Sequence, residues 1–116
     1  MSSPPSADLQ QKIAELQMIE HNLGQLLMEK QTIQIEFNEV NGALEEVKKA
    51  QGEIYKVLSG VMLVADKKNV LVDLEERKKV IELRIKSLEK QESLVGEKAQ
   101  KLRGELNASV GKKNSR

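Results

Sequence analysis

The sequence predicts a mainly α-helical protein, a long antiparallel two-helix coiled coil with one β-hairpin between the helices. Three observations carry this expectation. Ala, Glu, Lys, Leu and Arg supply nearly half of the 116 residues, a composition typical of coiled coils rather than of average globular domains. Apolar residues recur with a heptad period along two stretches of matched length. Between them lies a short segment rich in β-prone residues. Leu, Ile, Val and Phe together exceed a quarter of the chain, too many for an intrinsically disordered protein. With only Phe37 and Tyr55 as aromatics, a conventional compact core would lack its usual large fillers.

The elements follow in order. Residues 1–8 read as a tail in which Pro4-Pro5 blocks helix, and Asp8 with Gln11 resembles a capping box. Helix 1 is expected over 9–50. Its a positions are Leu9, Leu16, Leu23, Lys30, Phe37 and Leu44, and its d positions are Lys12, Ile19, Leu26, Ile33, Val40 and Val47. Ten of these twelve are apolar, and Gly52 can terminate the helix. Helix 2 is expected over 70–106 after a cap at Asn69. Its a positions are Leu71, Lys78, Ile85, Glu92, Ala99 and Leu106, and its d positions are Leu74, Ile81, Leu88, Val95 and Leu102. An isolated helix of this kind would expose its apolar stripe, so the two are expected to fold back on each other. Residues 107–116 lose the heptad and read as a mobile basic tail.

The middle, 53–65, departs from the helical period. Ser59-Gly60 fits a tight turn, and pairing Leu58 with Val61 sets the register of a hairpin. One face then carries Ile54, Lys56, Leu58, Val61, Leu63 and Ala65; the other carries Tyr55, Val57, Met62 and Val64. Both are largely apolar, and a lone two-stranded hairpin is marginal in water. Ile54, Tyr55, Val57 and Leu58 on the first strand, with Val61, Met62, Leu63 and Val64 on the second, are therefore expected to meet hairpins of other subunits.

Composition also excludes functions. Without cysteine there is no disulfide framework and no thiolate metal site. The single histidine, His21, occupies an f position and reads as a solvated surface residue rather than a ligand. Catalytic, cofactor-binding and metal residues are all expected to be absent, because the sequence holds no phosphate loop and no pocket scaffold. A net charge of +1 gives no global pull toward nucleic acid or anionic membrane. The apolar run near residues 57–65 is far shorter than a bilayer span, and the first residues do not look like a signal peptide. A cytoplasmic protein is the resulting expectation.

Two stretches, Ile54-Tyr-Lys-Val-Leu-Ser-Gly-Val-Met-Leu-Val64 and Leu83-Arg-Ile-Lys-Ser-Leu-Glu-Lys-Gln-Glu92, resemble prefoldin β-class subunits of the archaeal type. That family has a similar Tyr-Lys-apolar-apolar-Gly-apolar-apolar-Val hairpin between two helices. Ser59 stands where many members have a second glycine. The resemblance covers about residues 9–106. It implies an ATP-independent chaperone, a holdase subunit without cofactors. Two α and four β subunits would join their hairpins into an oligomeric β-barrel, giving a heterohexamer. Unfolded client proteins would be held at the coiled-coil tips and delivered to a group II chaperonin.

On that reading the start of helix 1 and the end of helix 2 are the client-binding surface. Leu9, Ile13, Leu16, Met18 and Ile19 stand on the first helix, and Leu102, Leu106 and Val110 on the second. Ile13 and Met18 lie off the seam, and the adaptable Met side chain suits broad contact. Gly24 and Gly96 fall nearly opposite when the chain folds at Ser59-Gly60. They read either as a flexible zone or as a point of close backbone packing. The competing reading is a structural coiled-coil adaptor in which the hairpin merely joins subunits.

Overall fold

The computed structural model describes residues 6–114, with side chains described through Ser109. Its order is α1 (Ala7–Lys49), β1 (Ile54–Leu58), β2 (Val61–Ala65) and α2 (Lys67–Asn114). The chain divides into two compact units. One, termed here the end unit, combines α1 up to Glu29 with α2 from Leu88 onward; the other, the hairpin unit, is Lys30–Ser87.

In the hairpin unit the two helices run antiparallel. Lys48 near the end of α1 meets Glu75 near the start of α2 at 3.8 Å, while Phe37, earlier in α1, lies under the ammonium of Lys78, later in α2. The core consists of Ile33, Val40, Leu44 and Ile81, all from the heptad seam. Lys78 breaks that seam, and its contact with Phe37 explains how: the ammonium sits 5.9 Å from the ring centroid, within cation–π range.

The end unit repeats the antiparallel arrangement. Lys12 pairs with Glu105 and Glu20 with Arg103, at 3.6 and 3.4 Å. Among its described residues Leu88 and Ala99 are buried. Lys12, the other early break in the seam, reaches Asp8 as well as Glu105, so its stem stays in the seam while its charge meets carboxylates. Every a and d position of both heptads is buried or half-buried.

The hairpin has the expected register, Leu58 opposite Val61 and Ile54 opposite Ala65. Ser59 and Gly60 both take positive φ, 49° and 80°, the signature of the type I′ turn whose twist matches that of the flanking strands. Gly60 adopts this region freely, whereas Ser59 does so against its Cβ.

Three boundaries differ from the sequence reading. Ser6, not Asp8, caps α1: its hydroxyl accepts from the Leu9 N–H at 3.2 Å and its carbonyl from the Gln10 N–H at 2.9 Å. Asp8 instead lies in the first turn, where its charge suits the helix dipole. At α2 the carbonyl of Asp66, rather than Asn69, takes the first helical bond, from Val70 N–H at 3.0 Å. The region read as a basic tail continues α2 to Asn114. No proline interrupts it, and Ala108, Lys112 and Lys113 favour helix, so the loss of the heptad did not end the helix.

Candidate functional site

Two apolar surfaces stand out, one in each unit. The first is the hairpin. Ile54 and Ala65, at the strand ends, are half-buried, whereas Tyr55, Val57, Leu58, Val61, Met62, Leu63 and Val64 are all exposed. Val57 and Met62 face each other across the ladder and are 66% and 65% exposed. A sheet normally covers at least one apolar face; this one leaves both bare. The Tyr55 hydroxyl donates to the Glu53 carboxylate at 2.8 Å, so the ring's polar edge is satisfied while its body stays accessible.

Lys67 holds the base of the hairpin. Its ammonium donates to the carbonyl oxygens of Lys48 and Ala50, at 3.3 and 2.9 Å. These carbonyls end α1, where a cation is favoured by the dipole. The same lysine opens α2, where positive charge is disfavoured. Sequence reading did not single it out. The signal was available: the first turn of α2 holds lysines and no acid, the wrong charge for a helix start unless it serves another element.

The second surface lies in the end unit. Met18, Ile19 and Leu102 form the apolar floor of an open groove of about 420 Å³, with Glu15, Asn22, Lys98, Lys101 and Glu105 around it. The heptad accounts for the grouping. Met18 and Lys101 are c residues, and Glu15, Asn22, Lys98 and Glu105 are g residues, so all face the same side of the seam. The remaining sequence-predicted positions divide. Leu9, Leu16 and Leu106 are half-buried along the seam, Ile13 is exposed at an e position away from the groove, and the side chain of Val110 lies outside the described residues. Lys98 and Lys101 were missed because a g and a c lysine look like solvated charges in sequence. Val80 and Leu83, on the outer part of α2, are also exposed and were not anticipated.

The glycine alternatives are resolved in part. A Cβ at Gly24 or Gly96 would meet nothing within 4 Å, so close packing does not require either glycine. Each lowers helix stability by about 1 kcal/mol relative to Ala without a steric reason.

Among the described residues no group of three or more His, Cys, Asp or Glu side chains could hold a metal ion, and no helix is long and apolar enough to cross a membrane. Coil, hairpin and bare apolar strands define the class: a hairpin-bearing coiled-coil subunit. Comparison with known proteins makes this specific. The model of the prefoldin subunit family matches residues 10–113. Prefoldin subunit beta of Saccharolobus islandicus (strain L.S.2.15 / Lassen #1) is 35% identical over 94% of this chain and 86% of its own length. That of Pyrobaculum neutrophilum is 36% identical, with the same coverage. The crystal structure of the prefoldin beta subunit from Thermococcus strain KS-1 superposes with a TM-score of 0.85 at 24% identity, covering 94% of this chain and 96% of that one; this likeness shows the shared fold. The chain belongs to the prefoldin family. Members of this family act as chaperone subunits rather than enzymes, and beta subunits assemble with other prefoldin subunits.

Proposed function

We propose that this chain is an ATP-independent holdase subunit of the cytoplasm, with no catalytic site and no cofactor. Its hairpin joins it to α-type and further β-type prefoldin subunits, two α and four β in the full assembly. The ends of its coil hold apolar segments of unfolded polypeptides for delivery to a group II chaperonin. The observation that carries the reading is the groove floored by Met18, Ile19 and Leu102, an apolar surface separate from the exposed hairpin faces. A single sticky surface would force assembly and client holding to compete; two allow both at once. The unobstructed glycines at 24 and 96 support a yielding coil end, since backbone freedom at little steric gain favours local opening.

The experiment measures mass with and without a candidate α-type partner, then light scattering of a denatured client. The proposal expects a larger closed assembly in the presence of the partner and suppressed aggregation. A dimer that ignores the partner and protects no client would make the chain a coiled-coil adaptor instead.

A further inference from the structure

The two sides of the end unit differ in charge as well as in polarity. On one side the apolar floor of Met18, Ile19 and Leu102 is bordered by Lys98 and Lys101, one turn apart on α2. Neither lysine is paired with a carboxylate among the described residues. Glu105, at the edge of the groove, is held by Lys12 at 3.6 Å, and Glu15 stands on the α1 bank. The other side is a depression with Leu23 and Gly96 as its apolar members, Glu89, Glu92 and Glu97 beside them, and one cation, Arg103, which is already paired with Glu20 at 3.4 Å. With three carboxylates against one committed guanidinium, that side disfavours acidic segments. The side with the apolar floor is therefore also the side with uncommitted ammonium groups, all of them from α2.

Accepting the reading that coil ends hold clients, we propose that this groove selects unfolded segments able to form an acidic amphipathic helix. The apolar stripe of such a helix seats on Met18, Ile19 and Leu102 in the helix-in-groove manner. Carboxylates on one flank reach Lys98 and Lys101, while Glu15 on the opposite bank repels acid on the other flank and so fixes the orientation. Exposed ion pairs are individually weak, so two of them give about a fivefold preference, falling as salt screens them. The chain's overall charge of +1 is too small to produce that preference without a local site.

Three labelled peptides with one shared apolar stripe and flanks of Glu, Ser or Lys test the idea by fluorescence anisotropy with the full-length protein. The Glu peptide binds about fivefold tighter than the Lys peptide at low salt, and the order inverts in Lys98→Glu/Lys101→Glu. Equal binding of all three peptides, or an unchanged order in the double variant, overturns the acidic preference. Met18→Ser/Leu102→Ser weakens all three. If that variant leaves every affinity untouched, the holding role of the groove fails along with the preference; if it weakens all three while flank charge has no effect, only the preference is lost.

Discussion

The hairpin unit and the end unit are built on the same heptad, yet they finish it differently. The hairpin unit buries Ile33, Val40, Leu44 and Ile81, whereas the end unit buries Leu88 and the small Ala99. Above the stronger core stands a hairpin of fixed register whose apolar faces are bare strands. Beside the weaker core lies an open groove ringed by charge. Under the proposed function, the difference matches two kinds of contact. A partner subunit of constant shape rewards a rigid template, where paired strands define which side chain meets which. A client of variable sequence would be served by a shallow apolar floor with an adaptable Met, beside glycines whose added Cβ would meet nothing within 4 Å.

The sharpest way to break this contrast is at the strands. Val57→Asp with Met62→Asp places two charges on one face of the hairpin, and the expected outcome is loss of higher assembly by light-scattering mass, with helical circular dichroism retained. Retained assembly would show that this face is not an interface. The cores come next. Leu44→Ala, at 2% exposed, is expected to cost about 2–5 kcal/mol in urea unfolding, while Leu102→Ala, half-buried, costs less than half as much because part of its surface already meets water. Equal costs would erase the difference between the units.

Smaller effects sharpen the comparison. Gly24→Ala and Gly96→Ala are each expected to stabilise by about 1 kcal/mol, with slower amide exchange confined to the end unit and weaker client holding. Exchange slowed equally in both units would remove the case for a soft end. Ser59→Gly relieves a positive φ of 49° but adds backbone entropy to the unfolded chain, leaving a gain of about 0.5 kcal/mol. A loss on thermal unfolding would mean that the serine contributes something the turn geometry does not explain.

Much of this was legible in the amino-acid sequence, because both heptads and the hairpin have strict periods. Leu58 and Val61 alone fix the strand register once Ser59-Gly60 is taken as the turn, and the observed pairs follow. The seam was equally readable: Ile33, Val40 and Leu44 fall at its d, d and a positions and are buried. What could not be read depends on side chains reaching between elements. Lys67 crosses to the carbonyls that end α1, a contact set by where the hairpin returns the chain. Lys98 and Lys101 acquire meaning only when α2 is set beside Met18 and Ile19 of α1. Helix ends were misplaced for a local reason. Ser6 and Asp66 compete with Asp8 and Asn69 as equally plausible caps, and nothing in a heptad count discriminates between neighbours.

The central claim is that assembly and client holding reside on separate surfaces. One measurement addresses it directly: the mass of the partner-bound assembly and its suppression of client aggregation, taken together on a chain lacking residues 1–18 and 103–116. That deletion removes Met18 and part of the groove's border but leaves the hairpin untouched. The account predicts an assembly with the same number of subunits and an abolished suppression of aggregation. Suppression equal to that of the intact chain would contradict it.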